Sequence, residues 1–525
     1  MSPTLQHRLT RLAQPDTLPL LRVLQRGIEK ESLRTTPDGE LAQTPHPRAL
    51  GSALTHPSIT TDYSEALLEL ITPVATSIDA SLQQLDQLHR YAYSVLDDEQ
   101  LWHASMPCRL GREADIPVAD YGSSNSGQLK RIYRVGLGHR YGRHMQTIAG
   151  IHYNFSLPEA LWPTLLERAD QGGVTDAYFA TIRNFRRWAW LLVYLFGASP
   201  VLSRSFLTGD DGRERPHRLQ QLDADTLYLP YATSLRMGDL GYQSNAQENL
   251  SICYNCVDNY IDTLKHAILD PYPDYRHIGI QVDGEYRQLS EGLLQIENEF
   301  YSPIRPKRVA RRGETALTAL AQRGVQYIEV RCLDLNPFLP LGIDADTLRF
   351  VDAFLLFCAL SDSPLCNEAG RAELKANSRS VVNEGRRPGL QLQRDGAPIA
   401  LRDWALEMLD EVGACADLLD RADGGEHHRA VVAAMRQRVE QPALTPSAQV
   451  LASLQASGLT FLQWMRQRSQ QFADQFRANP PEASTQLALS AAAERSLLLQ
   501  AELESAGEAP FDRYLAHYFE QYRAL

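Results

Sequence analysis

The chain has 525 residues, of which 44% are apolar and 22% are charged. These fractions are close to the average of soluble globular domains, and they exclude a disordered, collagen-like or coiled-coil chain. Lysine and arginine number 52 and aspartate and glutamate 64, which gives a formal net charge of −12 at neutral pH. This acidic balance argues against a nucleic-acid-binding protein, which would carry a basic domain or stripe.

The setting that the sequence predicts is the cytoplasm. Met1–Leu12 is polar, with two arginines and a histidine, and it lacks the apolar stretch of a secretory signal peptide. Trp188–Ala198 is the most apolar stretch, but it has about half the length that spans a bilayer, so we interpret it as a buried helix. The seven cysteines are scattered along the chain, which is typical of proteins from reducing compartments.

The composition and residue pattern of the sequence change near Pro340. Short alternating segments separated by Gly, Pro and Asn turns precede this point, and residues that favour helices follow it. We therefore predict an α+β protein, with a core at 1–340 and a helical region at 341–525 packed on that core. The predicted helices are Ala80–Leu96, Thr175–Phe196, Ile343–Leu360, Ala400–Leu419, His428–Val439, Pro446–Phe476 and Thr485–Glu504.

Five predicted strands place their polar side chains on one face. Successive side chains of a strand point to opposite faces, so residues of equal parity share a face. Glu29 and Glu31 share a face in this way, and Glu69 is the single glutamate of the apolar strand Leu67–Ile71. The other shared faces are His152 with Asn154 in Ile151–Phe155, Gln295 with Glu297, Glu299 and Tyr301 in Gln295–Tyr301, and Glu329 with Arg331 in Tyr327–Arg331.

Two interpretations of these polar faces are open. Antiparallel strands commonly have one polar face in contact with solvent. These faces, however, carry Glu, His, Asn, Arg and Tyr but very little Lys, and several anionic strands side by side would repel one another. Divalent cations would remove that repulsion, and an oxygen-rich set with one histidine favours Mg²⁺ or Mn²⁺ over zinc. The second interpretation predicts a carboxylate-lined sheet that binds Mg²⁺ for phosphoryl chemistry on a nucleotide.

Other motifs are predicted to have no catalytic role. The sequence lacks G-x-x-x-x-G-K-[ST] and a well-placed G-x-G-x-x-G, which disfavours a P-loop or dinucleotide-binding fold. Cys253 and Cys256 form a CxxC without a second pair, so we interpret them as structural thiols. The basic run Arg305–Arg312 is interpreted as a solvated loop, with phosphate anchoring as the lesser alternative, and His427 with His428 as a surface pair.

A set of sequence blocks between about residues 20 and 340 has a characteristic order and spacing. The blocks are Gln25–Arg34, Ser58–Glu69, Ile71–Pro73, Tyr121–Asn125, Met145–Ser156, Phe196–Pro200, Tyr231–Arg236, Leu294–Lys307 and Tyr327–Arg331. Together they closely resemble the proteobacterial type of glutamate-cysteine ligase. The helical C-terminal third is similar to that family in length and texture, whereas Gly209–Thr226 and the CxxC match no block.

The resemblance implies a fold like that of the glutamine synthetase superfamily, in which a curved antiparallel sheet forms a funnel with helices on its outer face. It implies ATP-dependent ligation of the γ-carboxylate of L-glutamate to the amine of L-cysteine, the first step of glutathione biosynthesis. ATP and Mg²⁺, or Mn²⁺, would bind in residues 1–340, which would form the catalytic core. A monomer and feedback binding of glutathione at the glutamate site are further expectations.

The resemblance also implies individual site residues. Arg331 and Glu329 are the expected catalytic residues, and Arg331 would contact the transferring phosphate of ATP. Arg236 would bind the α-carboxylate of glutamate, for which a planar bidentate donor is better suited than lysine. The expected metal ligands are Glu29, Glu31, Asp62, Glu69, His152 and Glu329. The remaining substrate contacts are Gln146 and Asn154, with a cysteine pocket of Tyr63, Tyr133, Leu137, Tyr242 and Tyr301, for whose tyrosines core packing is the alternative.

Two other functions stay open on the sequence alone. A related carboxylate-amine ligase with a different acceptor amino acid would share the metal site and differ around Tyr242 and Tyr301. A catalytically silent binding or regulatory protein would keep the fold without the reaction. The argument against this second alternative is that the whole expected set is intact, namely Glu29, Glu31, Glu69, His152, Glu329 and Arg331.

Overall fold

The computed structural model of the protein describes residues 1–166, 173–240, 247, 250 and 252–525. The strands in this part of the chain are β1 Gln25–Thr35, β2 Ile59–Thr61, β3 Leu67–Ile71, β4 Gln100–Leu101, β5 Ile151–Ser156, β6 Val201–Ser203, β7 Gln220–Gln221, β8 Thr226–Tyr228, β9 Gln281–Val282, β10 Glu285–Tyr286, β11 Ile304–Lys307, β12 Tyr327–Leu333, β13 Gln391–Arg394 and β14 Ala397–Ala400.

The helices follow the same order along the chain, and most of the later ones lie beyond residue 340. They are α1 Pro3–Leu12, α2 Ile78–Tyr93, α3 Asn125–Tyr141, α4 Trp162–Leu165, α5 Val174–Phe196, α6 Val257–Leu269, α7 Ala316–Arg323, α8 Ala345–Leu360, α9 Glu368–Glu384, α10 Leu401–Asp423, α11 His427–Glu440, α12 Pro446–Ser457, α13 Phe461–Ala478, α14 Ala483–Ser505 and α15 Phe511–Arg523.

A seven-stranded antiparallel sheet contains four of the five predicted strands. Its order is β11-β12-β5-β1-β3-β2, and β4 pairs with the end of β1. Helix α2 contacts β1 and β3, and α5 contacts β11 and β12. The prediction of an α+β protein with an antiparallel sheet and a helical C-terminal part is therefore confirmed.

One face of this sheet is apolar and belongs to the core. Ile28, Tyr153, Ile328 and Val330 are buried, and each has a parity opposite to that of the polar residues in its strand. Burying a side chain of this size stabilises the fold by about 1.5–3 kcal/mol relative to leaving it exposed. The core continues without a break into residues of 341–525, while the division of the chain into a catalytic core and a helical region stays a prediction.

The fifth predicted strand, Gln295–Tyr301, is wrong. Its centre, Glu297–Glu299, is a 3-10 helix. The carboxylate of Glu299 accepts a hydrogen bond from the backbone N–H of Gln295 at 2.7 Å. Because this contact closes a local turn, it replaces the hydrogen bonds that a strand would make with its neighbours.

The helix predictions are correct in position and incomplete in number. The predicted helix Pro446–Phe476 is two helices, since Gly458 adopts a φ of +66° at the end of α12 and Thr460 with Gln463 forms a capping box that begins α13. Helices α1, α3, α4, α6, α7, α9 and α15 are absent from the prediction. Trp188–Phe196 lies in α5, as predicted for a buried helix, and none of the helices in the described residues could cross a membrane.

The prediction that His427 and His428 form a surface pair is wrong for His428. This side chain is buried, and its Nδ1 lies 3.0 Å from Oδ1 of Asp420. Asp420 also accepts hydrogen bonds from the backbone N–H groups of His428 and Arg429. The histidine therefore joins the start of α11 to α10.

A buried ion pair connects the C-terminal helices to the apolar side of the sheet. Nε of Arg26 on β1 lies 2.6 Å from Oδ2 of Asp352 on α8. The hydroxyl of Tyr153 on β5 donates to Oδ1 of the same aspartate at 2.6 Å. Asp352 is fully buried, so both of its oxygens have a partner where water cannot reach them.

We expect Asp352→Ala to lower the free energy of unfolding by about 3–5 kcal/mol, because it leaves the guanidinium of Arg26 buried without its counter-charge. Asp346→Ala is the matched control, since this aspartate lies on the same helix, is 62% exposed and pairs with Arg349. Its loss should cost less than about 1 kcal/mol. Urea unfolding followed by circular dichroism measures both, and equal losses would contradict the role given to Asp352.

Candidate active site

The carboxylates predicted on separate strands converge on one face of the seven-stranded sheet. In the strand register Glu29 lies opposite His152, and Glu31 lies opposite Glu69. Glu329 on β12 lies opposite Asn154 on β5. Residues that are directly opposed on antiparallel strands project from the same face, so the register itself brings these side chains together.

Glu29, His152 and Glu329 form the centre of this cluster. Nδ1 of His152 lies 3.3 Å from Oε2 of Glu29 and 3.8 Å from Oε1 of Glu329. On the other side of the ring, Nε2 lies 3.8 Å from Oε1 of Glu31. One ligand atom from each of Glu29, His152 and Glu329 lies within 4.8 Å of the others. Atoms at this spacing could bind a single divalent cation, whose ligand distances are about 2.0–2.6 Å.

Burial and mutual repulsion perturb the carboxylates strongly. Burial and the nearby Asp62 raise the pKa of Glu31 to about 8. Burial, with Glu29, Asp62 and Glu31 close by, raises the pKa of Glu69 well above its ordinary value. Without a bound cation, some of these groups are therefore neutral at pH 7.

Glu29 and Glu329 have the opposite shift. Burial opposes ionisation of both, but the hydrogen bond with His152 lowers the pKa of Glu29. Lys307 and Arg331 likewise hold the pKa of Glu329 well below its ordinary value. The surroundings therefore favour the ionised form at the centre of the cluster and the protonated form at its flank, Glu31 and Glu69.

Two ligand atoms of the cluster have no hydrogen bond within the described part of the chain. These atoms, Nε2 of His152 and Oε2 of Glu329, are both buried, and Oε2 has only an ion-pair contact with Arg331. Burial and Arg331 lower the pKa of His152, which keeps the imidazole neutral, the form that binds metals. Buried polar atoms rarely go without a partner, so the donor set fits a hard divalent cation bound by oxygens and one nitrogen.

Two cationic side chains lie beside Glu329. Nη1 of Arg331 is 3.3 Å from Oε2 of Glu329, and Nζ of Lys307 is 3.4 Å from Oε1. The interpretation of the basic run as a solvated loop is wrong for its first half. Ile304–Lys307 is strand β11, which pairs with β12 and places Arg305 opposite Glu329. The equal parity of Arg305 and Lys307 was the sequence signal that could have identified this strand.

Arg236 is fully buried and packs against the backbone of Arg331 and Gly150, next to the cluster. Its Nη2 donates to the backbone carbonyl of Arg331 at 2.8 Å, and its Nη1 is 3.7 Å from Oδ1 of Asp334. Gly150 makes this placement possible, since a Cβ there would lie 2.0 Å from Nη2 of Arg236. The hydroxyls of Ser199 and Ser234 donate to Asp334 and hold it in position.

A cavity of about 90 Å³ adjoins the cluster; we call it the reaction cavity. Many of the predicted site residues line it, together with five that the sequence did not single out as site residues. The predicted ones are Glu31, Asp62, Tyr63, Tyr133, Leu137, Gln146, Tyr301 and Arg331, and the others are Arg134, Met145, Ile148, Asn298 and Glu299. Nε2 of Gln146 donates to the hydroxyl of Tyr301 at 3.4 Å across this space.

The remaining predicted residues lie outside the lining of the reaction cavity. Glu29, Glu69, His152 and Glu329 belong to the cluster beside it, and Arg236 lies beneath. Asn154 donates from Nδ2 to Oε1 of Glu29 at 2.7 Å, so its amide orients that carboxylate. Tyr242 lies outside the described residues.

A buried ion pair that the sequence did not indicate holds one wall of the reaction cavity. Nη1 of Arg140 lies 2.9 Å from Oε1 of Glu299, and both side chains are fully buried. The hydroxyl of Tyr141 donates to the same oxygen at 2.7 Å. These contacts fix the 3-10 turn that precedes Tyr301.

Comparisons with known proteins agree with this geometry. The family model of glutamate-cysteine ligase matches residues 9–381. A glutamate-cysteine ligase of Pseudomonas putida (strain W619) is 54% identical over 523 residues, which cover 99% of this chain and 98% of the relative. One of Pseudomonas aeruginosa (strain LESB58) is 55% identical over 524 residues, with the same coverage.

Solved structures show the same likeness. A glutamate-cysteine ligase of Francisella tularensis, crystallised in complex with AMP, superposes with a TM-score of 0.90 at 39% identity, covering 95% of this chain and 98% of that one. A bifunctional glutathione synthetase of Pasteurella multocida shares the fold, with a TM-score of 0.68 at 24% identity over 57% of its length. This chain therefore belongs to the glutamate-cysteine ligase family.

Proposed function

We propose that the protein joins the γ-carboxylate of L-glutamate to the amine of L-cysteine at the expense of ATP, giving γ-glutamylcysteine, ADP and phosphate. The observation that carries this proposal is the position of Arg331 between the carboxylate cluster and the reaction cavity. The names of the curated relatives support the two amino-acid substrates. The AMP bound to the Francisella relative supports the nucleotide.

The chemistry explains why these residue types are needed. A carboxylate is a poor electrophile, so transfer of the γ-phosphoryl group of ATP to glutamate would create a good leaving group. The cysteine amine then attacks the resulting γ-glutamyl phosphate and releases phosphate. Arg331 projects toward the reaction cavity, where its guanidinium would stabilise the charge on the transferring phosphoryl group.

The carboxylate cluster is the proposed metal site. Glu29, His152 and Glu329 would bind one divalent cation, and Glu31, Asp62 and Glu69 would supply the flanking oxygens. Mg²⁺ or Mn²⁺, when bound, supplies positive charge to the phosphate oxygens of the nucleotide. Asn154 fixes the orientation of Glu29, which keeps the donor atoms of the cluster in place.

The reaction cavity is the proposed site of the amino acids. Arg236 is proposed to recognise the α-carboxylate of glutamate, since its guanidinium is held rigidly by Asp334 and the carbonyl of Arg331. Tyr63, Tyr133, Leu137 and Tyr301 line the space proposed for cysteine. The hydroxyl of Tyr63 has no hydrogen-bond partner within the described residues, so it is available to a ligand.

The sheet and its helices support a fold of the glutamine synthetase type. In that proposal the antiparallel sheet is curved into a funnel, and the face that carries Glu29 and Glu329 is its inner surface. Core residues such as Ile28 lie on the opposite face, toward the helices. A monomeric state and binding of glutathione at the glutamate site stay predictions.

ADP release by the purified protein with Mg²⁺ and ATP tests the function. We expect release with glutamate plus cysteine and identification of γ-glutamylcysteine as the product. Glu329→Ala should reduce turnover by at least a hundredfold while the protein stays folded, because it removes a carboxylate from the cluster centre. Glu285→Ala, at an exposed strand glutamate, is the matched control.

Other outcomes of this assay separate the alternatives. Release with glutamate and other amines but not with cysteine would show a ligase with a different acceptor. No release under any condition would favour a catalytically silent protein. Near wild-type turnover of Glu329→Ala would contradict the proposed metal site.

Tyr301→Ala tests the cysteine pocket. We expect the KM for cysteine to rise at least tenfold, because the substitution removes an aromatic wall of the reaction cavity, while the KM for ATP changes less than about twofold. Tyr231→Ala, at a tyrosine that is 42% exposed and outside the cavity, should change neither value. A similar rise in KM for both substrates would refute the pocket assignment.

Cation binding should be visible as thermal stabilisation without substrates. We expect Mn²⁺ to raise the unfolding midpoint of the wild-type protein by a few degrees, because binding to the folded state stabilises it by about 2.7 kcal/mol at a hundredfold excess over Kd. Glu69→Gln should have a higher midpoint without metal, because folding no longer has to protonate a carboxyl group whose pKa burial and its acidic neighbours raise. It should also show a smaller rise with Mn²⁺. Differential scanning fluorimetry measures both, and an equal rise in the two proteins would exclude Glu69 as a ligand.

A further inference from the structure

A second and larger cavity, of about 480 Å³, lies between helices α5 and α9; we call it the cationic cavity. Helix α5 contributes Arg186, Arg187 and Trp190 to its wall, and α9 contributes Arg371, Lys375 and Arg379. None of these residues takes part in the proposed reaction. The cationic cavity is within the size range of small-molecule sites, about 300–1,000 Å³.

The concentration of positive charge here is unusual for this chain. The formal net charge of the protein is −12, yet five basic residues line this one cavity. Among the lining residues that the structure describes, one is acidic: Asp239, which lies 3.6 Å from Arg379. Arg371, Lys375 and Arg379 are spaced by four residues, so they lie along one side of α9. Like charges at this spacing destabilise a helix by about 0.2–0.5 kcal/mol per pair. An anion bound at Arg371 would offset part of that cost.

Arg379 pairs with Asp239, but Arg186 and Arg187 interact with neutral groups. Arg187 donates to Oδ1 of Asn184 at 2.9 Å and to the carbonyl of Pro364, and burial lowers its pKa. The guanidinium of Arg186 stacks over the ring of Tyr254 at 4.2 Å. The side chain of Arg371 has neither a hydrogen bond nor an ion pair with any residue that the structure describes. Partly desolvated cations with neutral partners attract an anionic ligand.

Trp190 adds a second, independent indication of a ligand. This residue is 3% exposed, and its indole N–H has no hydrogen-bond partner within the described chain. Apolar residues such as Val193, Met237 and Leu374 complete the wall. A mostly apolar lining with a few charged groups is typical of a site for an organic molecule and not for a bare inorganic ion.

We propose that the cationic cavity is a second binding site, separate from the carboxylate cluster, for a small organic anion with two or more carboxylate or phosphoryl charges. The ligand lies between α5 and α9, with its charges on Arg187 and Arg371 and its apolar part against Trp190. Tyr301 lines both cavities, so the ligand is a neighbour of the space proposed for cysteine. This site does not depend on the proposed reaction.

Isothermal titration calorimetry of the full chain, freed of metal by a chelating resin and without ATP or amino-acid substrates, tests the proposal. Citrate and fructose 1,6-bisphosphate are the probes, and they distinguish a carboxylate ligand from a phosphate ester. We expect saturable binding of at least one of them with one site per chain. Arg371→Gln should weaken that binding about tenfold, as is typical of a lost charge-assisted hydrogen bond.

Three variants make the result specific. Arg402→Gln, at an arginine that is 59% exposed on α10, is the control for loss of a single surface charge, and Arg331→Gln is the control for the carboxylate cluster. Both should bind the probe like the wild-type protein. Arg187→Gln, with its folding checked by circular dichroism, should bind as weakly as Arg371→Gln. Absence of saturable binding by both probes, or equal weakening in Arg402→Gln or Arg331→Gln, would overturn the proposal.

Discussion

The main constraint on this structure is the electrostatic repulsion between the acidic side chains that lie together on one face of the sheet. Two unit charges 4 Å apart interact by about 4 kcal/mol at the effective dielectric constant of a protein surface. This repulsion, together with burial, raises the pKa of Glu31 and Glu69, whereas Lys307 and Arg331 lower the pKa of Glu329. A bound cation would relieve the repulsion between these carboxylates. This gain in electrostatic energy would favour cation binding at the proposed metal site.

The rest of the fold keeps this cluster rigid. On the apolar side of the sheet, Asp352 of α8 pairs with Arg26 and accepts from Tyr153, so the two strands that carry Glu29 and His152 are tied to one helix. Beneath the cluster, Asp334 and the carbonyl of Arg331 hold Arg236, and only a glycine at position 150 leaves room for it.

The C-terminal helices contribute to the site from a distance. The hydroxyl of Tyr522 on α15 donates to Glu297, in the 3-10 turn that precedes Tyr301. Oε2 of Glu508 accepts from the backbone N–H of Asn125 at 2.6 Å, at the start of the helix that carries Tyr133 and Leu137. The helical third therefore supports the wall of the reaction cavity, although it supplies none of the residues that line it among those described.

Sequence periodicity alone determined the centre of the site, because the alternation of a strand is local. Parity predicted that Glu29, His152 and Glu329 each lie on the polar face of their own strand, and the strand register brings these faces together. Only the tertiary structure decided the features that depend on distant partners. Glu299 leaves the predicted strand because it bonds to Gln295 and to Arg140, which is 159 positions away in the chain. Lys307 becomes a partner of Glu329 only through the pairing of β11 with β12, which no local pattern specifies.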